Sequence, residues 1–295
     1  MRLSVVICAY NKADLLLNAI DSLKEQSCEK DLFELIVIDN NSTDNTKEVC
    51  LDFKSNNPDM KFSYYLEKKQ GLSSARNRGI KESNYEIISF IDDDAKANKD
   101  YVKNLLDTFL QNPEYIAAGG KVLPVYPGNK EPEWLSRYLW GIVAKIDYGD
   151  SSGLFPKKYP AGCNMAFRKF IFEKFGGFNE ELIYRGDEKY VFNKLKKGNY
   201  KVYYAANVVV YHYIDEKRIQ HEAILKISRN IGESERISVR NGNNVLIIFK
   251  LFKYLFKLFA AFSISILFCL KGQYKKAKYL ILVIWNTILG FINFR

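Results

Sequence analysis

The run Tyr85-Glu-Ile-Ile-Ser-Phe-Ile-Asp-Asp-Asp94 decides the fold. Tyr85 to Ile91 is short and apolar, which predicts a buried strand, and three carboxylates follow it directly. Side chains alternate along extended chain, so Asp92 and Asp94 are expected to point one way and Asp93 the other. Acids packed together at a strand end repel unless water or a cation lies between them. Two readings stay open here. One is a divalent ion held with a nucleotide phosphate at the carboxyl end of a parallel strand. The other is a solvated turn whose acids cap a helix.

Outward from this run, strands and helices alternate. Leu3 to Cys8, Phe33 to Ile38 and Phe62 to Leu66 read as buried strands. Helices are expected after Asn11, a candidate cap, with Leu15, Leu16, Ala19, Ile20 and Leu23 inward, then from Ser42-Thr43-Asp44 to Lys54 and over Leu72 to Glu82. Asp100 to Leu110 is another amphipathic helix. This order implies a mostly parallel, layered α/β sheet. Beyond Pro113, strands are expected near 115–123, 163–168 and 201–211, and a helix near 187–197. Residues 124–160, rich in Pro, Gly, Trp and Tyr, read as a long, partly irregular stretch at the mouth of a site. Trp134 and Trp140 offer rings for sugar stacking or for a core, with Trp140 assigned to the core.

Three further segments lie where a strand hands over to a helix: Cys8-Ala-Tyr-Asn11, Val37-Ile-Asp-Asn-Asn-Ser-Thr43 and Gly71-Leu-Ser-Ser-Ala-Arg-Asn-Arg-Gly79. In a parallel sheet such segments converge on one edge. Asp39 can accept hydrogen bonds from a base or ribose, or cap a helix; Arg76 or Arg78 can face phosphate, or solvent. The ensemble resembles a nucleotide site, although G-x-x-x-x-G-K-[ST] and G-x-G-x-x-G are both absent.

Charge separates the chain into two regions. Of 44 basic and 34 acidic residues, ten basic and no acidic ones fall between Arg236 and Arg295, so residues 1–235 are formally neutral. A nucleic-acid-binding body is ordinarily basic itself, and no nucleic-acid partner is expected. Five cysteines without a C-x-x-C pair suggest neither a disulfide framework nor a zinc knuckle. Met1 to Tyr10 lacks the pattern of a secretory signal, so the first 235 residues are expected to stay in the cytoplasm. Within Val245 to Leu270, Lys250, Lys253 and Lys257 share an arc of about 60° on a helix. A second apolar run, Tyr279 to Phe294, follows. Neither reaches the roughly 20 apolar residues of a spanning helix. Two readings follow for 236–295: amphipathic helices on the anionic cytoplasmic face of the cell membrane, or a hairpin packed on the protein's own core.

Leu3-Ser-Val-Val-Ile-Cys-Ala-Tyr-Asn-Lys12, Ile36-Val-Ile-Asp-Asn-Asn-Ser-Thr43, Ala75-Arg-Asn-Arg-Gly79 and Phe90-Ile-Asp-Asp-Asp94 resemble successive signatures of family 2 glycosyltransferases. The likeness continues through Ala161-Gly-Cys-Asn-Met-Ala-Phe-Arg168, Phe175-Gly-Gly-Phe-Asn179 and Arg185-Gly-Asp-Glu188, covering residues 1–215. It implies the GT-A fold, with its Rossmann-like sheet, as a domain over 1–235; the charge and apolar pattern of 236–295 adds a membrane-associating helical region to it. It also implies a nucleotide-sugar donor, UDP- or GDP-linked, and a Mg²⁺ or Mn²⁺ cofactor. Carried over residue by residue, Ala9, Tyr10 and Asn11 lie in the base-contacting segment, Asp39 reads the base edge and Arg76 approaches the nucleotide. Asp92 and Asp93 sit by the ribose and nucleotide, Asp94 ligates metal, and His212 resembles a histidine that some members place on the metal. Asp187 matches the catalytic base, with Glu188 as the neighbouring alternative. His221 has no counterpart and is read as a solvated helix residue.

The family inverts the anomeric centre, which implies a single displacement onto a hydroxyl of a glycan or lipid-linked acceptor, or onto a polyprenyl phosphate. Two other classes compete. A sugar nucleotidyltransferase needs a glycine-rich phosphate loop after the first strand, and Ala9-Tyr-Asn-Lys12 has no glycine. A non-catalytic membrane adaptor has no need of Asp39, Asp92, Asp94 and Asp187 together.

Overall fold

Strands β1 (Leu3–Ala9), β2 (Phe33–Asp39), β3 (Phe62–Leu66) and β4 (Ile87–Asp92) run parallel in the order β3-β2-β1-β4. The computed structural model describes residues 1–156, 159–182, 186–239 and 244–293; Arg185, Phe294 and Arg295, named above, lie outside these. β1, β2 and β4 are Val- and Ile-rich because both faces of the sheet are covered. Leu3, Val5, Ile7, Leu35 and Val37 point into one core, and Val6, Ile36 and Ile38 into the other. Helices α1 (Ala13–Lys24), α2 (Thr46–Asn56) and α4 (Tyr101–Gln111) cover the first face; α3 (Leu72–Glu82), α5 (Phe170–Phe175) and α6 (Asp187–Lys197) cover the second. α3 approaches β1 closely because Gly79 has no side chain: a Cβ there would stand 2.4 Å from Val6 Cγ1.

Past β4 the sheet changes direction. β8 (Met165–Arg168) pairs antiparallel with β4 and with β6 (Ala117–Val125), and β9 (Val202–Tyr213) lies beyond β6. β5 (Ala95–Ala97) pairs antiparallel with β9, as does the two-residue β7 (Gly153–Leu154). The mixed α/β architecture is as expected. β5 and α5 had no counterpart in the sequence reading, being too short to display a period.

Asn11 does not cap α1. Lys12 holds the N-cap position without a side-chain cap bond, and the Ala13 N–H donates to Asp44 Oδ2 at 3.0 Å. Asn11 itself takes φ 52°, a left-handed conformation that Asn tolerates, and turns its amide oxygen to Thr43 N–H.

Among the described residues, the chain forms two compact units. One comprises 1–124, 146–156, 159–182 and 187–213, the other 125–145, 186, 214–239 and 244–293. The stretch 124–160 is therefore divided between them. In the second unit, α7 (His221–Ile237), α8 (Asn244–Leu270) and α9 (Tyr274–Ile292) join a 3-10 segment, Arg137–Val143. Trp134 is buried there with its ring 5.4 Å from that of Tyr279, so it is core and offers no face to a sugar. Trp140 is half-buried beside the same cluster. His221 is not freely solvated: it opens α7, and its Nδ1 lies 3.2 Å from the Tyr279 hydroxyl.

α9 packs against both α7 and α8, and its contact with α7 is close because both helices present glycine. A Cβ on Gly232 would lie 2.1 Å from Thr287 O, and one on Gly290 2.1 Å from Arg229 O. α8 has two sides. Tyr254, Ala261 and Ser265 are buried, whereas Phe249, Phe252, Phe256 and Phe259 are exposed, the last two at 72%. Lys250 does not stand clear on that helix; it pairs with Glu235 of α7. Among the described residues, no helix is long and apolar enough to cross a membrane.

Replacing an interior helical glycine by alanine ordinarily stabilises by about 0.5–1 kcal/mol. Gly232→Ala is expected to do the reverse here, costing about 1–3 kcal/mol, since rigid backbone blocks the new methyl. Urea unfolding followed by circular dichroism reads the sign directly.

Candidate active site

The strand register brings the acids together. Cys8 pairs with Asp92 across β1 and β4, and Ala9 with Asp39 across β1 and β2, so three strands end level at one edge. Antiparallel pairing of β5 with β9 sets Ala95 opposite His212 and delivers the histidine to the same place. One ligand atom each of Asp92, Asp94 and His212 lies within 4.8 Å of the others. Asp94 and His212 are buried, and Asp92 is half-buried.

The expected alternation does not reach Asp93 and Asp94: β4 ends at Asp92, the next two residues form a turn, and both their carboxylates meet the Lys12 ammonium. Asp93 accepts from Tyr10 N–H at 3.0 Å and from the Lys12 ammonium at 3.3 Å. Lys12 Nζ also lies 2.5 Å from Asp94 Oδ2. Burial pushes the Asp93 carboxyl up, and the charge of Asp94 adds to this against the pull of Lys12. Burial would raise Asp94 too, but His212 and Lys12 hold it well below the usual carboxylate range.

Arg76 is the buried cation of the site. Its guanidinium contacts Asp187 Oδ2 at 2.5 Å and Asp92 Oδ1 at 3.4 Å, and it lies over the rings of Phe90 and Phe178. Arg76 and Asp187 side chains are each 3% exposed. Removing either partner would strand the other charge at a cost of about 3–5 kcal/mol. Arg76 thus faces carboxylates in this structure, while Arg78 pairs with Glu82 along α3. Burial opposes the charged form of Asp187, yet Arg76 outweighs it and holds the carboxyl low. The adjacent Glu188, hydrogen-bonded to Asp187, is pushed up to about 8 by burial and by the Asp187 charge.

Asp39 is buried, its carboxylate accepting from Ser42 N–H at 2.8 Å and from the Tyr64 hydroxyl at 2.7 Å. Asn11 ties the first strand-end loop to the second through Thr43 N–H and the Ser42 hydroxyl, and Ala9 O accepts from Asn40 N–H. The Tyr10 ring is exposed at this edge. Ala9, Tyr10, Asn11, Asp39, Arg76, Asp92, Asp93, Asp94, Asp187 and His212 therefore lie at the strand ends or on the elements that meet them, whereas Trp134 and Trp140 do not.

Lys12, Asn40, Asn77 and Tyr64 went unassigned. Asn40 Oδ1 accepts from Gly71 N–H at the start of α3, and its amide donates to Lys69 O. Asn77 accepts from Phe178 N–H and donates to Phe178 O, pinning the segment that covers Arg76. Asn40, Asn77 and Lys12 fall inside the quoted motifs, which was the available signal; Tyr64 had none.

The donor set of two carboxylates and an imidazole suits a divalent cation. Asp94 Oδ1 and His212 Nδ1 are also buried without a hydrogen bond among the described residues, although Asp94 Oδ1 stands 3.1 Å from His212 Nε2. A cation bound here would replace the contact between Asp94 and His212 with ligation by both.

The sequence resembles known proteins over the same region. It is 24% identical over 224 residues to the glucosyl-dolichyl phosphate glucuronosyltransferase of Haloferax volcanii, a match spanning 69% of this chain and 70% of that one. It is 30% identical over 185 residues to the GalNAc(5)-diNAcBac-PP-undecaprenol beta-1,3-glucosyltransferase of Campylobacter jejuni, spanning 61% of this chain and 56% of that one, less than two thirds of the relative's length. In structure it is similar to the mannosyltransferase PcManGT of Pyrobaculum calidifontis in complex with GDP-Man and Mn²⁺, with TM-score 0.66 and 18% identity over 97% of this chain and 87% of that one. It is also similar to S. aureus TarS 1-349 in complex with UDP-GlcNAc, with TM-score 0.60 and 16% identity over 99% and 89%. These likenesses establish a GT-A fold. The sequence model of Glycosyl transferase family 2 matches residues 4–176, more than half of the chain, and the protein belongs to that family of glycosyltransferases.

Proposed function

We propose that the protein moves a sugar from a UDP- or GDP-linked donor to a hydroxyl of a lipid-linked glycan, with inversion at the anomeric carbon. The observation that carries this reading is the meeting of Asp92, Asp94 and His212 with the Arg76–Asp187 pair at the ends of the parallel strands. Relatives named for dolichyl- and undecaprenyl-linked substrates, and GT-A neighbours in complex with GDP-Man or UDP-GlcNAc, support the choice of donor and acceptor. Tyr10 and Asp39 flank the position for the base and ribose. Asp92, Asp94 and His212 would hold Mg²⁺ or Mn²⁺, which neutralises charge gathering on a departing nucleoside diphosphate.

Asp187 is the proposed base. Inversion by single displacement needs a carboxylate on the acceptor side to take the hydroxyl proton as the new bond forms. Arg76 keeps Asp187 ionised throughout the neutral range. A second reading has its own support: Arg76 already occupies one oxygen of Asp187, and Glu188 lies closer in proton affinity to neutral pH. In that case Glu188 accepts the proton while Asp187 fixes its position.

The first 235 residues would then work at the cytoplasmic leaflet, held by the 236–295 region. The exposed Phe row of α8 and a tail without acidic residues support this.

Transfer from labelled nucleotide sugars to membrane lipid extracts is the direct test, with loss expected in excess chelator. Asp187→Asn should lower turnover by about a hundredfold or more and leave donor affinity nearly unchanged. With Asp187 as base, kcat/KM is expected to stay flat between pH 6 and 8, since that pH range lies above its depressed pKa. A rising limb centred near 8, together with an inactive Glu188→Gln and an active Asp187→Asn, assigns the proton to Glu188. Full turnover in chelator sinks the metal assignment.

For attachment, the triple substitution Phe252→Ser, Phe256→Ser, Phe259→Ser is expected to abolish sedimentation with anionic vesicles at unchanged unfolding temperature. Lys253→Glu with Lys257→Glu should weaken binding to anionic vesicles but not to neutral ones, each lysine contributing about 1 kcal/mol at low salt. If the unaltered protein ignores both kinds of vesicle, the tail serves packing alone.

A further inference from the structure

The acid cluster carries a built-in cation. Lys12 stands at the N-cap of α1, where a positive charge opposes the helix dipole and where its side chain caps nothing. What holds it there is the pair of carboxylates: Nζ lies 2.5 Å from Asp94 Oδ2 and 3.3 Å from Asp93 Oδ1. The two acids are 7% and 9% exposed, whereas the Lys12 side chain is 39% exposed. The ammonium therefore closes the cluster from its solvent side on a flexible four-carbon stem. Its partners lie 81 and 82 residues away, so nothing local in the chain imposes the contact.

This arrangement solves one problem and creates another. Three aspartates in succession repel, and Lys12 supplies the compensating charge. The same ammonium is a like-charge neighbour for any divalent ion that Asp92, Asp94 and His212 would hold. At a few Å, such repulsion is strong even in a partly solvated site. It is relieved only if the ammonium finds another anion. The anion that arrives with the donor is its diphosphate.

We infer that Lys12 is a positioning residue that trades partners: it neutralises Asp93 and Asp94 in the free enzyme and turns to the donor diphosphate when cation and nucleotide bind together. The inference rests on the nucleotide-sugar reading above. Its consequence is thermodynamic. Lys12 weakens cation binding to the empty site and strengthens nucleotide binding to the loaded one, so it adds to the coupling between the two ligands, which must be reciprocal.

The test uses full-length protein and two probes, Mn²⁺ and UDP or GDP, whichever binds. Mn²⁺ affinity is measured by electron paramagnetic resonance with and without nucleotide, and folding is checked by thermal unfolding. Lys12→Met is expected to bind Mn²⁺ alone about tenfold more tightly than the unaltered protein. It should also bind the nucleotide about tenfold more weakly once Mn²⁺ is saturating, so that the coupling shrinks. Lys12→Arg keeps the charge and should restore both values towards the original. Lys12→Gln serves if the Met variant does not fold. An unchanged or weakened Mn²⁺ affinity in the nucleotide-free Met or Gln variant overturns the inference, as does undiminished coupling. These binding readouts are independent of sugar transfer. An enzyme that shows the expected Mn²⁺ shifts but transfers no sugar retains the Lys12 role and loses the donor reading.

Discussion

A guanidinium without access to water organises this active site. Arg76 is fully enclosed, so its charge must be matched by groups that the fold brings to it, and the match comes from two distant segments. Asp92 arrives at the end of β4 and Asp187 at the start of α6. The aromatic faces of Phe90 and Phe178 complete the enclosure. A buried charge in such a setting tolerates little displacement, because each partner lost leaves an uncompensated ion in a poorly solvated place. The ion pairs thus tie the end of β4 to the start of α6 through one side chain.

The remaining architecture supplies level ends. Parallel pairing places the last residues of β1, β2 and β4 side by side, and the loops that follow are cross-linked by Asn11, Asn40 and Asp44. Each of these three side chains bonds to backbone N–H groups of a different loop. The result is a rigid edge built from short polar residues, which explains why the quoted motifs are rich in Asn, Ser and Asp.

Much of this was legible because the chain repeats one physical pattern. Leu3 to Cys8, Phe33 to Ile38 and Tyr85 to Ile91 are apolar apart from Ser4, Glu34, Glu86 and Ser89, as doubly covered parallel strands are. Once they are parallel, the residues just beyond them share an edge, so Asp39, Asp92, Asp94 and the Cys8–Asn11 segment could be grouped without coordinates. What escaped was set by distance or brevity. Lys12 finds its acid partners in the turn after β4, Asn77 holds a segment 101 residues later, and Tyr64 reaches Asp39 from β3. Three-residue β5 and six-residue α5 carry no period. Helix α7, of which the sequence reading named only His221, has an indistinct pattern for another reason: its buried side includes Ser228, Gly232 and Ser234, small and polar residues that interrupt an apolar stripe. Trp134 was read as possible sugar platform because composition alone does not distinguish a ring facing solvent from one packed against Tyr279.

The pairing of β5 with β9 has a consequence for the order in which this protein matures. His212 reaches Asp94 from the far end of the first unit, and the intervening chain must be synthesised before the two can meet. During translation the parallel strands β1 to β4 emerge first, with all three acids and Lys12 already present. The imidazole follows only with β9. Contacts so remote in sequence form late, because the loop-closure entropy comes before any reward. A nascent or truncated chain ending before β9 therefore holds the carboxylates and their internal counter-ion without the imidazole. Completion of the acid–imidazole cluster coincides with completion of the sheet, so an unfinished chain lacks the full cluster.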